Sequence, residues 1–252
     1  MDFENQAVKL YKTAFPDDSE EFAEEFIKRY FKKNCRYTVK DGKIVSMLFL
    51  FESLLYANKR VYSVSYLYAA ATLPEMRGKG EMSQLIERVK REEAEKGRFI
   101  VTRPADGGLF SFYQKFGFKT AFYCDEYVYS ATFIDSTALK KISSAEYYKK
   151  REELLKEIPH LTLKETKEFA VSDMLLLGGD GICCAVDLSE ETPLIDEFLS
   201  VIDNGEEAVL RYIGKDTALF RGRGMKTPFA MILPCDDDIE LPDSMYMGLA
   251  ME

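Results

Sequence analysis

Along the chain the spacing of apolar positions changes period several times. Phe22, Phe26 and Tyr30 recur every four residues behind Asp17, Asp18 and Ser19, short polar side chains that suit a helix start. Helices are therefore expected over about residues 5–15 and 19–31. "RYTVKDGKIVSMLFLFES" then reads as two β-type runs joined through Asp41-Gly42, a strong hairpin signal. "RVYSVSYLYAAATL" is rich in Val and Tyr and predicts a further strand. In "EMSQLIERVKREEAEKG", Met82, Leu85, Ile86 and Val89 share one helical face, and Gly97 closes the helix. A short buried strand ("RFIVTRP"), a short helix ("GGLFSFYQKF") and another strand ("GFKTAFYCDEYVYS") follow.

Past Ser130 the pattern predicts two helices, "SSAEYYKKREELLKEI" and "KETKEFAVSDMLLLGG". A strand ("GICCAVDL"), a helix ("TPLIDEFLSVI") and strands in "EAVLRYIG", "TPFAMILP" and "MYMGLAME" complete the chain. Each half thus holds a strand–helix–strand unit, the second a degenerate echo of the first. The fold class is α/β (α+β), an antiparallel opening followed by strand–helix–strand units.

Composition narrows the function classes. The chain's 252 residues allow one large domain or two small ones. A net charge of -9 disfavours nucleic-acid binding, which needs clustered Lys and Arg, and suits a cationic partner. Five cysteines without a CxxC pair argue against a zinc site and a disulfide framework, so no metal is expected. His160, the single histidine, is read as a loop or surface residue, and one histidine makes a His-based triad improbable. "SMLFLFESLLYA" is shorter than the roughly 20 residues of a membrane helix, and no signal peptide is visible. A soluble cytoplasmic protein, monomeric or homodimeric, is expected.

The chemistry concentrates in "AATLPEMRGKGEMSQLI". Gly78 and Gly80 stand immediately before a helix, whose N-terminus carries free N–H groups and partial positive charge, and Arg77 and Lys79 add cations. Neither GxxxxGK[ST] nor GxGxxG is present, since Ser83 occupies the last position of the latter. The stretch resembles the pyrophosphate loop of the GNAT N-acetyltransferase superfamily, Arg/Gln-x-x-Gly-x-Gly/Ala after a strand. About 30 residues on, "LFSFYQKFGFKTAFY" resembles that family's second signature. Met82 stands where the family has Gly or Ala. A larger side chain there resembles the branch of enhanced-intracellular-survival acetyltransferases, which carry a second GNAT-like unit.

The resemblance implies a mixed, mostly antiparallel twisted sheet flanked by helices. It divides the chain into a cofactor-binding domain over residues 1–131 and a smaller, degenerate GNAT-like unit over 132–252. The corresponding loop of the second unit reads "SEETPLIDEF", too acidic for a pyrophosphate, so one acetyl-CoA per chain is implied. The backbone of Ala70, Ala71 and Thr72 would pair with the pantetheine arm, and the amides of Arg77, Gly78, Lys79, Gly80, Glu81 and Met82 would hold the pyrophosphate. Tyr113 would be the general acid that protonates the leaving thiolate.

The base is less defined. "RVYSVSYLYAAATL" has no carboxylate, although Tyr62, Tyr66 and Tyr68 share a face and could line an acceptor pocket or order a water chain. The resembling branch implies the terminal carboxylate, here Glu252; Glu52 and Glu126 are alternatives. The implied reaction is acetyl transfer from acetyl-CoA to a primary amine of a small molecule or peptide, without a covalent enzyme intermediate. A catalytically silent acyl-CoA sensor is the alternative, and no nucleic-acid or membrane partner is expected.

Overall fold

The computed structural model describes residues 2–132, 138–236 and 238–251. Helix α1 (Phe3–Ala14) starts on Asp2, which accepts from the Asn5 N–H, and α2 (Glu20–Asn34) on Ser19, which accepts from the Phe22 N–H. Strands β1 (Cys35–Lys40) and β2 (Lys43–Ala57) form the expected hairpin, and β3 (Arg60–Thr72) returns antiparallel along β2. Then come α3 (Glu81–Glu95), β4 (Phe99–Thr102), α4 (Gly107–Gln114) and β5 (Lys119–Ser130). The remainder holds β6 (Lys140–Lys141), α5 (Ser144–Leu155), β7 (His160–Leu163) and β8 (Leu175–Gly179). It ends with β9 (Ile182–Asp187), β10 (Leu194–Ser200), α6 (Gly205–Ile213) and β11 (Thr217–Leu233).

The eleven strands of the described residues join one mixed, mostly antiparallel sheet in the order β1-β2-β3-β4-β11-β10-β9-β8-β6, with β5 also on β11 and β7 on β2. Its parallel pairs among the named strands are β3–β4 and β10–β11, each bridged by one helix (α3 and α6). β11 pairs with β10 at its start and with β4 at its end, so a strand from late in the chain completes the sheet begun by the first half.

Strand β2 reads as a continuous apolar run because both its faces are covered. Met47, Phe49 and Phe51 point into the cluster that contains α1 and α2, where Phe26 meets Phe49 at 4.8 Å. Leu48 and Leu50 point the other way, onto Leu85, Ile86 and Val89 of α3 and Tyr113 of α4.

Five expectations for the second half are corrected. The stretch 164–179 is a short 3₁₀ turn (Phe169–Val171) followed by β8, and 192–202 holds β10, a strand. Residues 207–213 lie in α6, with Gly214 at its C-cap, and in 245–251 only Met245 and Tyr246 form isolated bridges, to Phe122 and His160, in place of a strand. His160 opens β7 at 4 % exposure, because Tyr56 stacks on its ring at 4.9 Å, so it is neither loop nor surface.

Candidate active site

β3 and β4 pair only over Val64–Leu67 against Phe99–Thr102. Beyond that point β3 continues along β2 to Thr72, while the chain leaves β4 for α4. Among the described residues, the backbone of 68–72 therefore has no strand beside it on the β4 side. Here β3 also carries one extra residue, since Tyr68 opposes Phe49 but Ala71 opposes Met47, and Ala69 takes a left-handed φ of 49°. Strain of this kind persists only where the surrounding structure fixes it, and here it lies just past the point where β3 and β4 part.

The wedge opens into a cavity of about 660 Å³ walled by Ala70, Ala71, Thr72, Arg77, Met82 and Tyr113, among others. The turn of Gly78, Lys79 and Gly80 stands exposed beyond it. Gly80 is the N-cap of α3 with a φ of 82° and no side chain capping the helix, unlike Asp2, Ser19, Asp106 and Ser143 at other helix starts. A Cβ at Gly78 would meet nothing within 4 Å, and one at Gly80 only the Gln84 side-chain amide at 3.9 Å. An anion can therefore approach these amides unhindered. Arg77 donates to the Thr72 carbonyl (3.2 Å) and so fastens the loop to the end of β3. Glu81 turns its buried carboxylate away to Lys40, which leaves only its backbone for a ligand.

Tyr113 is 5 % exposed, packed edge-on against Phe112 and Phe118. Burial pushes its phenol up to about 12 against the opposing effect of a hydrogen bond with Thr102, so it remains protonated at neutral pH. Tyr66 and Tyr68 line the same cavity; Tyr62 packs on Phe99 instead. Of the carboxylates considered as base, Glu52 pairs with Arg98 and Lys164 and is not among the residues that line the wedge cavity. Glu126 pairs with Arg221 and faces an adjoining cavity that shares Arg103, Pro104 and Ala105. Glu252 lies outside the described residues; Met251 before it lines the wedge, and its carbonyl accepts from the Tyr66 hydroxyl (3.3 Å).

With this geometry, residues 2–121 match the model of the acetyltransferase (GNAT) domain. That stretch is a GNAT domain, and its presence supports an acyltransferase. No curated protein sequence matches the chain. Solved structures share its fold. A GCN5-related N-acetyltransferase from Kribbella flavida aligns at 14 % identity with a TM-score of 0.70, over 90 % of this chain and 67 % of that one. One from Anabaena variabilis gives 13 % and 0.72, over 92 % and 70 %. Eis1 from Mycobacterium abscessus, of the enhanced-intracellular-survival branch, gives 12 % and 0.64, over 92 % and 70 %.

Several residues beside the wedge escape the sequence. A second cavity, about 420 Å³, shares Met251 with the wedge and is lined by Asp17, Asp18, Asp173, Asp187 and Asp196. Asp17 and Asp18 read only as helix-start residues, and the other three lie more than 150 positions away, so no local pattern joins them. The Asp-Asp-Ser run was the one signal available.

Proposed function

We propose that this GNAT protein transfers the acetyl group of acetyl-CoA directly to a primary amine carried by a cationic small molecule or peptide. The observation that carries the reading is the wedge itself: an unpaired strand edge at Ala70–Thr72 leads from an uncapped helix N-terminus at Gly80 to Tyr113. A pantetheine arm fits as an added strand on that edge, and backbone N–H groups of residues 77–82 suit a pyrophosphate. Acetyl-CoA supplies the thioester. Tyr113 Oη gives its proton to the departing sulfur as the C–S bond breaks after the C–N bond has formed, and the N–H proton lost by the new amide nitrogen restores the phenol. Five aspartates in the adjoining cavity give the acceptor side a negative field, which supports a cationic amine. In this reading residues 132–252 form a second GNAT-like unit without a cofactor loop. The β10–α6–β11 unit supports it, and the aspartates at 173, 187 and 196 are its contribution to the acceptor side.

The test is calorimetry with coenzyme A, then thiol release from acetyl-CoA over a panel of monoamines, polyamines and peptides. Binding, turnover with amines and a lower KM for polyamines are expected. Tyr113→Phe is expected to keep coenzyme A affinity and lose about 10²-fold in kcat, the usual worth of a general acid. Binding without turnover would favour a silent acyl-CoA sensor, and no binding would end the proposal.

A further inference from the structure

The acceptor amine must shed a proton, yet no carboxylate among the described residues lines the wedge. The structure offers a path out of it. Tyr68, on the wedge wall just before the Ala69 bulge, has its hydroxyl 3.3 Å from that of Tyr11 in α1. Tyr11 in turn donates to Asp18 Oδ2 at 2.8 Å. A phenol has one proton to give. Because that of Tyr11 lies on Asp18, Tyr68 is the donor between the two tyrosines, and the bonds run one way: wedge, Tyr68, Tyr11, Asp18. Asp18 is half-buried on the acidic cavity, and the two cavities share Met251.

We propose that Tyr68, Tyr11 and Asp18 form the relay that carries the acceptor amine's proton out of the wedge. This rests on the acetyl-transfer reading above. In the step, an ammonium N–H bond breaks and its proton passes to Tyr68 Oη. Tyr68 hands its own proton to Tyr11 Oη, and Tyr11 hands its own to Asp18 Oδ2, leaving a neutral amine with a free electron pair for the thioester carbon. Asp18 then releases the proton to solvent. Both tyrosines end as neutral phenols. That outcome is required at Tyr11, whose hydroxyl burial drives far above the ordinary tyrosine value, so that a lasting tyrosinate there is excluded. Tyr68 is the group that touches the amine. Tyr11 and Asp18 act through it and are positioning residues.

A packing role alone would make a different demand. Tyr11 is fully buried against Phe15 (4.7 Å between ring centres) and Phe26 (5.3 Å), where phenylalanine would fill nearly the same space with no hydroxyl to satisfy. Tyr11→Phe is therefore a test that spares the fold, and Asp18→Asn keeps an acceptor oxygen at the same place. With the panel's fastest amine, each variant should lose about 10²-fold in kcat, the worth of one positioned proton transfer. Coenzyme A affinity by calorimetry should be unchanged, and the double variant should be no slower than either single one. The wild-type proton inventory in mixed light and heavy water should be curved, and that of Tyr11→Phe linear. Unchanged kcat in Tyr11→Phe, or losses that multiply in the double variant, would overturn the relay while leaving acetyl transfer standing. A wild type that turns over no amine would bring down both.

Discussion

His160 Nδ1 lies 2.7 Å from the Ile158 carbonyl, which makes Nδ1 the donor and leaves Nε2 as the bare nitrogen. That Nε2 is buried with no hydrogen-bond partner among the described residues. A second proton would therefore create a buried, unpaired N–H beside Arg151. Burial, ahead of the opposing pull of the Ile158 carbonyl, lowers the pKa of the ring, and Arg151 lowers it further. The unfolded chain takes up this proton at about pH 6.5 and the folded chain only lower, so stability falls as pH drops through that window. Glu93 and Glu165 belong to another range. Burial raises each carboxyl, but hydrogen bonds from Lys96 and Ser65, and from Lys33 and Asn34, outweigh it and hold both below the usual value. Their contribution is present above about pH 4.3 and is lost as pH falls further. Thermal denaturation between about pH 7.5 and 5.5 should show Tm falling by about 2–4 °C for each kcal/mol lost, a fall that His160→Gln flattens. An equal fall in the variant would remove His160 as the cause.

At the scale of elements, the α3 start separates anion binding from stability. Gly80→Ala meets no clash but forces a Cβ into left-handed backbone, at about 1–2 kcal/mol. It also places a methyl group where the pyrophosphate would come. Gly214→Ala, at the C-cap of α6 with a φ of 66° and nothing within 4 Å, carries the same backbone strain away from the wedge. Both variants should lose similar Tm, while only Gly80→Ala weakens coenzyme A by about tenfold or more, 1.4 kcal/mol by calorimetry. Equal affinities would show that the turn does not hold the diphosphate. These elements were legible because their signals are local: Gly97 closes α3, Asp41-Gly42 turns β1 into β2, and Tyr113 follows in its own short motif. β10 was not. Ile195, Phe198 and Leu199 have helical spacing, and Asp196 and Glu197 between them look solvent-facing. In the fold both acids are buried, against Arg221 and Arg151, from β11 and α5. A strand with buried charges on both faces can be read only when its partners are known. The same holds for Asp18, whose place depends on distant parts of the chain.

For the whole molecule, one of those buried pairs ties the end of the chain to both halves of the sheet. Arg151, 2 % exposed, pairs with Glu197, bonds Thr162 Oγ1 (2.9 Å) and the Leu161 carbonyl (3.2 Å), and reaches the Met247 carbonyl (2.6 Å). The segment it grips exchanges backbone bonds with Ala121 and Tyr123 on one side and with Pro159 and Leu161 on the other. It approaches Glu197 so closely at Gly248 that a Cβ there would lie 1.8 Å from the carboxylate. Three residues on, Met251 forms wall of both the wedge and the acidic cavity. Arg151→Met keeps most of the volume but strands Glu197 as a buried charge, with a cost of about 3–5 kcal/mol for a broken buried pair. At about 2–4 °C per kcal/mol, Tm should drop by roughly 6–20 °C. Glu197→Gln in the same chain removes the stranded charge, so the double variant should be more stable than Arg151→Met alone, a positive coupling in a double-mutant cycle. Loosening the segment should also raise the acceptor KM more than it weakens coenzyme A, because Met251 borders the acceptor side whereas the glycine turn does not depend on it. A double variant less stable than the single one would mean that Arg151 acts through its bonds to Leu161 and Met247 and not by neutralising Glu197.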